Sequence, residues 1–167
     1  MATATYTPIA TTTLGSAANT VSFSSISGAY TDLVIILTGT ASTGTGVYYQ
    51  VGNGSVDTGS NYSFTELYGD GASAGSARAS AYNQMAAGEF YTTQSTNIIN
   101  LMNYSNTTTY KTGLSRGSNG SNQVEAFVNL WRSTASINII TFSAGNVGSG
   151  KTFSVGSQFT IYGIKAA

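Results

Sequence analysis

Histidine and cysteine are both absent from this chain. The commonest general base, a main zinc ligand, a thiol nucleophile and thiolate metal sites are therefore excluded together. Side-chain acid–base chemistry rests on six carboxylates, Asp32, Asp57, Glu66, Asp70, Glu89 and Glu125. Glycoside hydrolysis needs two of them flanking one bond, and Glu66 with Asp70 is the closest pair in sequence. Asp70, however, sits in Gly69-Asp70-Gly71, where aspartate bonds to its own backbone in turns, so Asp70 is expected to be turn chemistry and Glu66 a solvated or paired strand residue. Asp57-Thr-Gly-Ser-Asn61 offers several oxygens in a row but lacks the spacing and terminal Glu of an EF-hand, which leaves an Asx-type turn. Gly145-x-x-x-x-Gly150-Lys151-Thr152 matches the phosphate-loop pattern letter for letter. No helix-forming segment follows Thr152 to supply the helix N-terminus that the mechanism requires. The expectation is a protein that is not an enzyme and uses no cofactor and no metal.

The elements that would position any site are strands. Gly, Ser, Thr and Asn make up 81 of 167 residues, and only 7% of the chain is charged, against about 25% in an ordinary soluble domain. Short apolar runs alternate with Gly, Ser, Asn and Thr clusters, an all-β pattern. Strands are expected near Tyr6–Ile9, Thr20–Ile26, Asp32–Thr38, Val47–Val51, Tyr62–Tyr68, Arg78–Met85, Ile98–Tyr104, Tyr110–Ser115, Val124–Arg132, Ile137–Phe142 and Phe159–Lys165. Turns are expected at Asn53-Gly54, Gly69-Asp70-Gly71, Asn119-Gly120 and Gly145–Gly150. This spacing predicts a single-domain antiparallel β-sandwich of jelly-roll type, residues 15–167, with residues 1–14 either an N-terminal arm or the first strand. No fixed-period repeat argues for a shaft or solenoid.

Charge and hydropathy bound the partners. Six basic and six acidic residues cancel and are scattered, which disfavours nucleic acid and anionic membranes, since both require clustered Lys and Arg. The longest aliphatic run, Leu33-Val-Ile-Ile-Leu37, is far short of the ~20 residues that span a bilayer, and Met1–Pro8 does not read as a secretion signal. A weakly charged surface suits permanent packing against neighbours, because few charges are stripped of water when such an interface forms. On Val124–Arg132, alternation places Val124, Ala126, Val128 and Leu130 on one face and Glu125, Phe127, Asn129 and Trp131 on the other. Phe127 and Trp131 are either covered within the same subunit or form an intersubunit contact. Tyr48, Tyr62 and Tyr110 are candidates for glycan or protein contact, since a tyrosine offers apolar area and a hydroxyl together.

Four stretches carry a family resemblance: Val51–Gly71, Tyr104-Ser-Asn-Thr-Thr-Thr-Tyr-Lys-Thr112, Leu130-Trp-Arg-Ser-Thr-Ala-Ser-Ile137 and Gly156-Ser-Gln-Phe-Thr-Ile-Tyr-Gly-Ile-Lys165. In that order they resemble a group of virion structural proteins of tailed bacteriophages, in which such β-rich domains occur in capsid-associated or fibre-associated proteins. The resemblance implies a capsid cement or decoration protein, homotrimeric, made in the host cytoplasm and seated on the outer capsid surface against the major capsid protein. The alternative it leaves open is the receptor-binding head of a tail or capsid fibre that recognises host surface glycan. It carries over no catalytic residue.

Overall fold

The computed structural model describes residues 5–165. Thirteen strands are present among them: β1 Tyr6–Thr13, β2 Thr20–Phe23, β3 Asp32–Gly39, β4 Thr45–Asn53, β5 Ser55–Val56, β6 Tyr62–Gly69, β7 Ala74–Tyr82, β8 Met85–Phe90, β9 Ser95–Met102, β10 Lys111–Ser118, β11 Val124–Trp131, β12 Ile139–Ala144 and β13 Gln158–Ile164. There is no helix among the described residues. One sheet has eight strands in the order β1-β13-β3-β9-β10-β11-β6-β7, the other runs β2-β12-β4-β5, and β8 pairs with β4. All these pairings are antiparallel. The molecule is a single-domain antiparallel β-sandwich. A jelly roll has eight strands in two Greek keys; the number and division of strands here differ from it.

The Leu33–Leu37 run lies in β3, a central strand between β13 and β9. Leu33, Ile35 and Leu37 point inward and are fully buried, in register with Leu101 and Ile99 on β9 and with Ile161 and Phe159 on β13. Phe159 is the centre of an aromatic cluster. Its ring lies 4.9 Å from Phe153, 5.7 Å from Phe142 and 6.4 Å from Phe90, measured between centroids. Phe142 comes from β12 of the smaller sheet and Phe90 from β8, so one side chain of the large sheet ties it to both.

Residues 6–13 form the edge strand β1, whose register slips between Pro8 and Ala10. The chain's only proline cannot donate to the ladder and belongs at such an edge or bulge. The expected Arg78–Met85 strand requires correction. β7 ends at Tyr82, Asn83 and Gln84 intervene, and Met85 opens β8 in the opposite layer. The chain changes sheets where it carries no Gly or Pro, with Ala81 at φ 51° supplying the bend.

β8 lies across the inner face of the large sheet, and its neighbours there are small or polar. Asn129 of β11 is fully buried and treats β8 as a ladder partner. Its Oδ1 accepts from the backbone N–H of Ala86 (2.8 Å), and its Nδ2 donates to the carbonyl of Ala86 (3.0 Å). Ser115 Oγ donates to the same carbonyl at 3.0 Å. Ala86 lies beside the slip in the β4–β8 register, so these side chains satisfy buried backbone groups that the ladder leaves over.

Candidate functional site

The structure separates Glu66 from Asp70. Asp70 caps its own turn, accepting from the backbone N–H groups of Ala72 (2.9 Å) and Ser73 (2.6 Å). Glu66 instead points inward and meets Glu89 of β8 and Glu125 of β11, with Tyr48 of β4 alongside. Burial, then the neighbouring Glu89, raises the Glu66 carboxyl above its ordinary range. Burial, then Tyr82 and the glutamates, pushes the Tyr48 hydroxyl up to about 12. The crevice lined by Glu66, Glu89, Tyr48 and Phe127 is about 70 Å³, small even beside ordinary ligand pockets of about 300–1,000 Å³. Glu125 is 5% exposed and its Oε2 is buried, so it cannot touch the glycosidic oxygen that a general acid must protonate. The described residues contain no group of three or more carboxylates placed to hold a metal ion.

Asp57 is the hinge of an Asx-type turn and more. Its Oδ1 accepts from Gly59 N (2.8 Å), while its Oδ2 accepts from Asn61 Nδ2 and from Trp131 Nε1, both at 2.8 Å. Partial burial opposes ionisation, but these donors outweigh it and hold the carboxyl below its usual range. A carboxylate with a depressed native value stabilises the fold above its unfolded value and loses that contribution as pH falls through the native one. Asp57→Asn is therefore expected to melt below the wild type at neutral pH, the gap closing as pH falls below the ordinary aspartate value of about 3.9. Melting temperatures across that range check it, and a gap that does not depend on pH would remove the charge from the account.

The phosphate-loop look-alike is a run of turns. Gly145, Gly148 and Gly150 take positive φ of 72°, 83° and 74°, Lys151 Nζ donates to the carbonyl of Gly44 (3.2 Å), and Phe153 then bridges to Ala18 and Ala41. Among the described residues no helix N-terminus faces the loop.

Tyr48, Tyr62 and Tyr110 do not converge. Tyr62 is fully buried, its hydroxyl donating to the carbonyl of Asp57 at 2.7 Å; Tyr48 is half-buried over the carboxylates; Tyr110 is exposed. Phe127 and Trp131 are interior, at 6% and 2% exposure. Trp131 stacks on Tyr62 with centroids 6.4 Å apart, and Phe127 packs edge-on to Phe64. Of the two readings for these side chains, the structure shows cover within the same chain, against Tyr62 and Phe64 of β6, rather than an intersubunit contact.

The other face of β11 is the one left open. Outward positions form in-register rows across the large sheet: Val34, Asn100, Leu114, Val128 and Thr65 in one, Ile36, Ile98, Arg116, Ala126 and Leu67 in the next. Leu67 is 62% exposed and Val128 54%, and Leu114, Val124, Met102 and Tyr6 are exposed with them. Leu67, Val128, Leu114, Met102 and Tyr6 line a groove of about 730 Å³. Among the described residues only Asp32, Arg116 and Arg78 bring charge to outward positions of these strands. The outer face of the smaller sheet is the contrast. There Ser22 and Thr141 are in register, their hydroxyls bonding at 2.8 Å, and Gln50 beside Thr141 is buried with its amide donating to the carbonyl of Asn83. A contiguous apolar patch on one face only marks an interaction surface, and it is the candidate site of this protein. Alternation along β11 made both faces legible as apolar; that the aliphatic one is open follows only from the second sheet covering the aromatic one. No protein-family model matches the chain, and no curated protein matches it in sequence.

Proposed function

We propose that this chain is a structural protein of a bacteriophage particle, a capsid cement or decoration protein that binds the outer shell and bridges neighbouring capsomers. It docks through the outer face of the eight-stranded sheet onto the major capsid protein, as a homotrimer on the outer capsid surface, after synthesis in the host cytoplasm. The observation that carries the reading is that apolar groove on a molecule whose opposite sheet face is polar. Removing the patch from water supplies an association energy proportional to its area, and scarcity of charge keeps the desolvation cost low. Binding the assembled shell but not its dissociated parts would stabilise the shell by linkage. The chemistry of the site is contact chemistry, with neither catalytic residue nor cofactor taking part.

The expected result is a copy number in purified virions that approaches that of the major shell protein, measured by quantitative mass spectrometry. A few copies per particle would move the protein to a tail or fibre tip, and absence from the particle would end the virion reading.

A further inference from the structure

On the inner face of the large sheet, Gly117 of β10 is in register with Asn97 of β9 on one side and Glu125 of β11 on the other. Asn97 uses the space that the missing side chain leaves: a Cβ on Gly117 would stand 1.8 Å from Asn97 Oδ1. The carboxamide is oriented at its other end, where Nδ2 donates to the carbonyl of Glu89 (3.2 Å), so Oδ1 is the atom turned to Gly117. Asn97 Oδ1 and Glu125 Oε2 are both buried and both lack a hydrogen-bond partner. Glu125 Oε1, by contrast, accepts from Gln123 Nε2 at 2.5 Å. Each of these bare acceptors, on the two sides of one glycine, needs a hydrogen-bond donor.

No cationic side chain supplies it. Arg116 adjoins Gly117 but points to the opposite face of β10, Lys151 Nζ is bound to the carbonyl of Gly44, and Lys111 lies six residues back along β10, about 20 Å away at strand rise. The groups that do face Glu125 are Glu66 from β6, Glu89 from β8, Tyr48 from β4, Tyr91 beyond β8, and the uncharged Gln123 of the β10–β11 turn, while Asn119 of the same turn donates to Glu89 Oε2 instead.

We propose that Glu125 is a neutral carboxylic acid at neutral pH, its Oε2–H donating toward Asn97 Oδ1, and that loss of this proton to solvent loosens β8 from the inner face of the large sheet. Asn97 is the connection, since the same side chain holds β8 through the carbonyl of Glu89. Burial, then the charge of Glu89, with Glu66 adding to them against the Gln123 bond, pushes the Glu125 carboxyl up to about 8. An acid whose native value is raised gives stability that is complete below its unfolded value, about 4.3, and that is lost as pH rises through the native one.

Glu125→Gln tests this by keeping the shape and replacing the proton with an amide donor. The wild type is expected to lose melting temperature from pH 6 to 9 and to lose amide-exchange protection over Met85–Phe90, while E125Q changes much less in both. The chain has only three glutamates, so carbon NMR of the side-chain carboxyls in the wild type resolves the question even if E125Q folds poorly. One should titrate near 8, and E66Q should lower that midpoint by removing a neighbouring charge. A Glu125 carboxyl already ionised at pH 6, or equal pH slopes for wild type and E125Q, overturns the proposal.

Discussion

Phe159→Ala is expected to destabilise the fold by about 3–5 kcal/mol, the range for removing a large buried aromatic. Phe159 is fully buried and its ring meets Phe142 of β12, Phe90 of β8 and Phe153 of the closing loop. Truncation removes the transfer energy of the ring and leaves a cavity walled by three other rings, each anchored to a different strand or bridge. Such walls cannot collapse inward without pulling β12 and β8 toward β13, so little of the cavity is relieved by relaxation. Against a total stability of about 5–15 kcal/mol for a domain, this one change removes about a fifth of the margin or more. Urea unfolding of the wild type and variant measures it, provided the m-value is unchanged. A loss below about 1 kcal/mol would mean that the cluster repacks and that the two sheets are not held together there.

The second large effect is on binding, with the fold left alone. Leu67→Lys together with Val128→Lys is expected to weaken attachment to purified shells more than about 100-fold while moving the melting temperature by only a few degrees. Both side chains already face water, so the folded chain loses little apolar burial when they are changed. In the complex each would leave an apolar contact unmade and bury a charge without a partner, and two losses of about 2 kcal/mol each exceed the 2.7 kcal/mol that corresponds to 100-fold. Ser22→Lys on the polar face of the smaller sheet is the matched control, with attachment expected to stay at the wild-type level. Equal attachment by the double variant and the control would remove the groove as the docking surface, whatever the copy number in the particle.

Much of the architecture follows from local residues. β3, β11 and β13 lie where their apolar runs are, and Gly54, Gly71, Gly145, Gly148 and Gly150 take the positive φ expected of the turns that contain them. Asp70 caps its turn as its Gly-Asp-Gly setting implies. The Arg78–Met85 segment is the instructive departure. The segment Arg-Ala-Ser-Ala-Tyr-Asn-Gln-Met holds no Gly or Pro to break a strand, and the step from one sheet to the other at Asn83-Gln84 leaves no local trace. β8 is likewise unmarked, because Met85-Ala-Ala-Gly is thin to fit beneath Asn129 and Ser115, a requirement set by residues 27 to 44 positions away.

The site divides in the same way. The absence of His and Cys by itself removed imidazole and thiol chemistry from this protein, and period-two alternation determined which residues of a strand share a face. Which face meets water was decided only by the tertiary structure, because both faces of β11 are apolar and burial depends on where the second sheet lies. The carboxylates show the same limit from another side. Glu66, Glu89 and Glu125 are 23 and 36 residues apart along the chain, and only the pairing of β6 with β11 and the crossing of β8 over both bring them together, since antiparallel register sets neighbours by strand order rather than by distance in sequence.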